Sequence, residues 1–80
     1  MKESDFSAKV GERVRSLRKE RNLSQESFAD LCGIHRTYVG CIERGEKTMT
    51  LDTLRKITEA LNVSIVDFFK HPDFETNASK

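Results

Sequence analysis

Residues 24–45, SQESFADLCGIHRTYVGCIERG, read as two short helices joined by a tight turn at Gly33. Ser24 is a good N-cap, because its hydroxyl accepts from the free backbone N–H groups of the turn that follows. Gln25, Glu26 and Ser27 then begin a helix whose buried stripe is expected at Phe28, Leu31 and Cys32, with Ala29 small enough to let a second helix approach. Gly33 supplies the positive φ that ends this helix within one residue, and Ile34 plugs the turn. His35 sits at the N-cap of the next helix, which runs to Arg44 with Tyr38 or Val39, and then Ile42, pointing inward.

Working outward, Phe6, Val10, Val14 and Leu17 fall at helical spacing and predict a helix from Asp5 to Arg21. Asn22 tolerates the left-handed backbone needed just past a helix end, and Leu23 turns back to the core. On the other side, Thr50 caps a helix with Leu51, Leu54, Ile57 and Leu61 on one face, and Asn62 ends it as Asn22 ends the first. Val63 returns to the core, and Ser64 with Asp67 three residues later makes a capping-box-like start for a last helix. The expected fold is all-α: five helices, the second and third forming a helix-turn-helix. Residues 1–70 are expected to form the domain and residues 71–80, with Pro72 and polar neighbours, a flexible tail.

A chain of 80 residues, 34% charged and 36% hydrophobic, has room for one core only. Such a core rarely supplies more than ~3–5 kcal/mol, which favours a partner subunit. No apolar run nears the ~20 residues that span a bilayer, and MKESDFSAKV lacks the apolar centre of a signal peptide, so a soluble, cytoplasmic protein is expected. Cys32 and Cys41 lack CxxC spacing, and with only His35 and His71 no zinc-ligand set can be built. No metal or other cofactor is expected. Without HExxH, GxSxG or a Gly-rich phosphate loop, neither is an enzyme.

The formal net charge of +1 argues against a strongly basic nucleic-acid binder, but its distribution is uneven. Between Lys9 and Asn22 stand Lys9, Arg13, Arg15, Arg18, Lys19 and Arg21 against Glu12 and Glu20. A solvated helix face and an electrostatic footprint for nucleic acid both remain open there.

The pattern Ser24-Gln25-Glu26, two residues, Ala29, three residues, Gly33-Ile34, four residues, Val39, two residues, Ile42-Glu43-Arg44-Gly45 resembles the phage-repressor (Cro/Xre-like) helix-turn-helix family, and the likeness extends over Val10 to Phe69. Within that family, His35-Arg36-Thr37-Tyr38-Val39 before Ile42-Glu43-Arg44-Gly45, followed by Thr48-Met49-Thr50-Leu51, is similar to the small controller proteins of restriction-modification systems. The resemblance implies a repressor-like, nucleoid-associated transcription regulator that binds a double-stranded DNA operator as a homodimer, with RNA polymerase as a further partner and no membrane. It implies phosphate contacts from Gln25 and Tyr38, with His35 beside them, and from Arg44 and Lys47, where Glu46 weakens the local field. For Tyr38, packing against the second helix is the alternative. It also implies an ion pair of Arg18 with Glu43, against two solvated charges. A protein-interaction module of the same fold, an antitoxin or anti-repressor, is the competing function.

The spacing has a physical sense of its own. Ala29 and Gly33 let two helices cross tightly, and the outer face of the second, Arg36, Thr37, Gly40 and Cys41, is left to enter a major groove ~12 Å wide. Arg36 can donate twice to the O6 and N7 of guanine, Thr37 can meet a base edge or a thymine methyl, and Gly40 permits close approach. Cys41 there could also serve as a redox sensor. In the last helix Ile65, Val66, Phe68 and Phe69 are too many apolar residues for one turn to bury. Ile65 and Phe68 are expected inward, leaving Val66 and Phe69, with Phe74 beyond, as a dimer interface that sets two reading helices ~34 Å apart.

Overall fold

A computed structural model of the chain describes residues 3–75. In chain order it holds α1 (Glu3–Glu20), α2 (Gln25–Cys32), α3 (Arg36–Glu43), α4 (Leu51–Leu61), α5 (Ile65–Phe69) and a 3-10 turn, Pro72–Phe74, with no strand among the described residues. α1 lies across α3 and α4, while α2 packs on α3 and α4. No helix among the described residues is long and apolar enough to cross a membrane.

The helix ends are set locally. Ser24, His35, Thr50 and Ser64 each cap a helix, accepting from the backbone N–H of Ser27, Thr37, Thr53 and Asp67 at 3.0, 3.1, 3.1 and 2.9 Å. A cap of this kind stabilises by about 1 kcal/mol. Gly33 takes φ 73° and closes α2, while Asn22 and Asn62 take φ 57° and 58° past α1 and α4.

All five helices feed one core. Val10, Val14 and Leu17 of α1 meet Phe28, Ala29 and Cys32 of α2, Val39 and Ile42 of α3, Leu54, Ile57 and Leu61 of α4, and Phe68 of α5. Phe68 is fully buried, so a five-residue helix is anchored by one ring. Gly11 allows the closest approach of backbones. A Cβ there would lie 2.1 Å from the carbonyl oxygen of Ile42 and 2.8 Å from that of Glu43, so α1 could not seat on the end of α3 with any other residue.

Three arginines of the basic run do neither of the two things its charge suggested, while Arg15 and Lys19 stand exposed as a solvated face would. Arg13 donates through Nε to the Phe68 carbonyl at 2.7 Å and through Nη2 to that of Asp67 at 3.0 Å. Arg21 donates to the Leu61 carbonyl at 2.7 Å, at the end of α4, and to that of Leu17 at 2.9 Å. Arg18 donates to the Leu23 carbonyl at 2.6 Å. Arg13 and Arg21 thus bind carbonyls at helix C-termini, where a cation also suits the helix dipole, and Arg18 holds the loop that leads into α2.

Four apolar expectations are corrected. Leu31 is 60% exposed, because about 100° per residue puts it well off the arc of Phe28, Ala29 and Cys32. Leu51 is 85% exposed: it is the first residue of α4, and a side chain there leans past the helix end rather than over the core. Ile65, expected inward, is 47% exposed, whereas Phe69, expected outward with Val66, is half-buried. Phe69 is covered by the chain just beyond α5. Pro72–Phe74 brings Phe74 against Phe69 (ring centroids 5.0 Å apart) and Phe6 (6.0 Å), and Phe6 stacks on Phe69 at 6.4 Å. Phe69 and Phe74 are thus engaged within their own chain, and Val66 alone of the three expected interface residues stands fully outside. Residues 76–80 of the expected tail lie outside the described residues.

Candidate nucleic-acid interface

α3 is eight residues long and buries Val39 and Ile42, each 1% exposed, which fixes its opposite side outward. Arg36 and Thr37 are exposed in its first turn, Cys41 is half-buried, and Tyr38 is half-buried against the core. The turn before it is tight: Gly33 and Ile34 both donate to the Ala29 carbonyl, at 2.9 and 3.1 Å. His35 Nδ1 accepts from the Thr37 N–H at 3.1 Å, so its ring proton lies on Nε2 and faces outward as a donor.

Behind this face stands a buried polar brace. Arg18 donates to Glu43 through Nε at 2.7 Å and Nη2 at 3.1 Å, their side chains 8% and 2% exposed. Gln25 Nε2 donates to the same carboxylate at 3.0 Å. With the Leu23 carbonyl on the remaining Arg18 nitrogen, no buried side-chain polar atom among the described residues lacks a partner. A buried ion pair is stable only when so satisfied. The brace joins α1, the start of α2 and the end of α3, so the reading helix cannot roll without breaking it. One Gln25 amide hydrogen is spent on Glu43, which ties the first residue of α2 to the brace.

Gly40, expected on the open reading face, is buried. Arg44, one turn further on, folds back over it, so a Cβ at Gly40 would stand 3.1 Å from Arg44 Nη1. Arg44 in turn donates to Glu46 through Nε at 2.8 Å and Nη2 at 3.2 Å, and lies 3.7 Å from Cys41 Sγ. Hydrogen bonding from Arg44 holds the Glu46 carboxyl below its ordinary range, and Glu46 raises the Arg44 guanidinium in return. Sequence reasoning gave Glu46 only a weakening role; its place two residues after Arg44, across the turn at Gly45, was the available signal. Lys47 is exposed just beyond. The Cys32 thiol, by contrast, is pushed up to about 11 by burial, so it is a packing residue. Among the described residues no group of three or more His, Cys, Asp or Glu is placed to hold a metal.

A second surface was only partly foreseen. An open apolar groove of about 370 Å³ runs between α1, the α3–α4 loop, α4 and α5, lined by Phe6, Val10, Met49, Leu51, Leu54 and Ile65 among others. Its rim carries Leu51 and Ile65, which explains why large apolar side chains stand exposed there.

Two short helices crossing at Gly33, the second braced from behind and bare in front, define a helix-turn-helix domain. The sequence profile described as helix-turn-helix matches residues 14–68, and the chain belongs to that family. Among its relatives, the control protein C.SmaI of Serratia marcescens is 48% identical over 61 residues, covering 76% of this chain and 73% of that protein. The restriction-modification controller protein C.AhdI of Aeromonas hydrophila has a similar structure, with TM-score 0.78 and 39% identity over 80% of this chain and 97% of that one. A third relative, the controller C.Esp1396I, is known as a tetramer in complex with its natural 35 base-pair operator; it gives TM-score 0.76 and 34% identity over 80% of this chain and 84% of that one.

Proposed function

We propose that this chain is a sequence-specific, double-stranded-DNA-binding transcription regulator of the restriction-modification controller type, acting as a homodimer on palindromic operator sites. The observation that carries it is the exposed Arg36–Thr37 face of α3, held rigidly by the buried contact of Arg18 and Gln25 with Glu43. Arg36 matches the O6 and N7 of guanine, and Thr37 a base edge or thymine methyl. Gln25, His35, Tyr38 and Lys47 surround that face as phosphate contacts, Gln25 at a helix N-terminus where the dipole already favours an anion. Cys41 stays at the margin of the face. The relatives' names and the operator complex of C.Esp1396I support the same reading. Such work places the protein in the cytoplasm, on the nucleoid.

The dimer surface is the apolar groove with the neighbouring edge of α5. Leu51 and Ile65, 85% and 47% exposed, line the groove and Val66, 74% exposed, stands beside them on α5, which makes one apolar surface of the kind that takes a partner. A second copy covers it and gives the two-fold symmetry a palindrome requires.

Selection from a random duplex pool tests the function: a palindrome with half-sites one helical turn apart is expected, and a pool that stays random would refute it. Sedimentation tests the interface. Leu51→Glu combined with Val66→Glu is expected to give monomers whose operator binding falls in step, whereas a variant that stays dimeric would move the interface elsewhere.

A further inference from the structure

Arg44 matches phosphate-contact positions by resemblance, yet its geometry is that of a residue aimed at bases. It is the C-cap of α3 but keeps right-handed helical backbone, φ −85° and ψ −1°, so the helical phase of α3 runs through it. At about 100° per residue it lies roughly 80° around the axis from Arg36, between Gly40 at about 40° and Thr37 at about 100°. Arg44 therefore shares the reading face rather than flanking it. Its side chain also runs back toward the N-terminus, bringing the guanidinium beside Gly40 and within 3.7 Å of Cys41 Sγ. The absence of a side chain at Gly40 leaves the room it occupies: an added Cβ would crowd Nη1 at 3.1 Å.

Glu46 settles how the guanidinium is turned. It takes Nε and one hydrogen of Nη2, at 2.8 and 3.2 Å, which leaves Nη1 and the second Nη2 hydrogen beside Gly40 and Cys41 on the reading face. The edge left over, Nη1 with Nη2, carries two parallel N–H groups that fit the O6 and N7 of guanine. The second Nη2 hydrogen meets only the Cys41 sulfur, a weak acceptor that a base edge readily replaces. A plain phosphate clamp gains nothing from such an arrangement, since a carboxylate already on the guanidinium competes with phosphate for it.

We propose that Arg44 reads a guanine in the major groove, and that Glu46 is the positioning residue that squares its guanidinium to the base edge. This rests on the DNA-binding function above and adds one read position to each half-site, served from the far end of α3.

The test is selection from a random duplex pool with the full-length protein and with Arg44→Lys and Glu46→Gln, followed by affinity measurement on the selected operator and on random duplex. Arg44→Lys keeps the charge but loses the fork. It is expected to erase one guanine preference per half-site and to weaken operator binding about tenfold or more, while affinity for random DNA stays within about twofold. Glu46→Gln is expected to relax the same position, although the chain becomes more positive and binds random DNA more tightly. A selected motif that keeps every position in Arg44→Lys would make Arg44 a phosphate clamp and overturn the inference. A guanine kept in Glu46→Gln alone would overturn the positioning role. If the unaltered protein enriches no motif, the DNA-reading function itself falls, a result distinct from either.

Discussion

Three arginines in or just after α1 and two in or just after α3 are the same side chain put to opposite uses, while Arg15 of α1 simply stands exposed. On α1, Arg13, Arg18 and Arg21 turn inward and end on carbonyls of Phe68, Leu23 and Leu61, or on the buried Glu43 carboxylate. At α3, Arg36 stands exposed, and the C-cap Arg44 is tied to a carboxylate as exposed as itself, at 58% and 55%, and to the Cys41 sulfur. Local charge density would have chosen α1 as the DNA surface. Partner geometry argues against Arg13 and Arg21 in that role, because a guanidinium already holding carbonyls at a helix C-terminus has little left to offer a phosphate.

The sharpest way to break this contrast is to remove one arginine of each kind. Arg18→Ala leaves Glu43 buried without its cation and should cost about 3–5 kcal/mol of folding stability, read from denaturant unfolding. Operator binding would then fall only as the folded fraction falls. Arg36→Ala should do the reverse, costing about 1–3 kcal/mol on the cognate operator with unfolding changed by less than about 0.5 kcal/mol. Equal loss on operator and random duplex would demote Arg36 to a phosphate contact. A smaller effect separates the α1 arginines among themselves. Arg13→Ala should cost about 1 kcal/mol by releasing its bonds to the end of α5, and should loosen the dimer as well, since α5 borders the groove.

The same division explains how much could be read in the sequence. Features decided within four or five residues were legible: the caps at Ser24, Thr50 and Ser64, the left-handed ends at Asn22, Gly33 and Asn62, and the helix-turn-helix they frame. The Arg18–Glu43 contact spans 25 residues and came only with the family resemblance. What was missed depends on partners distant in the chain. Gly11 looks like a helix defect until the end of α3 lies on it. Leu51, Ile65 and Phe69 are equally apolar on paper, and only the fold-back at Pro72–Phe74 decides that Phe69 is covered while Ile65 is not. Within the site, the outward position of Arg36 and Thr37 followed from helical phase, but Gly40 did not remain open, because a side chain four residues on fills the space it leaves.

The faintest of the expected effects asks whether the exposed Arg44–Glu46 contact is real in solution. Glu46 is exposed, so its pairing contributes little to stability, and screening by salt reduces that further. It should still be visible as a titration. A carboxyl whose pKa is lowered in the folded state contributes stability above its unfolded value, and that contribution is lost as pH falls through the folded value. The Glu46 side-chain carbon, followed by NMR, should therefore titrate with a midpoint below the 4.5 of an ordinary glutamate, and Arg44→Gln should return the midpoint toward it. Asp52 makes the control: Arg55 lowers its pKa in the same way on α4, so its midpoint should also lie below 3.8 but stay unmoved by Arg44→Gln. If Glu46 titrates at its ordinary value in the unaltered chain, Arg44 is not held in solution, and the contrast narrows to the inward arginines against the exposed Arg36.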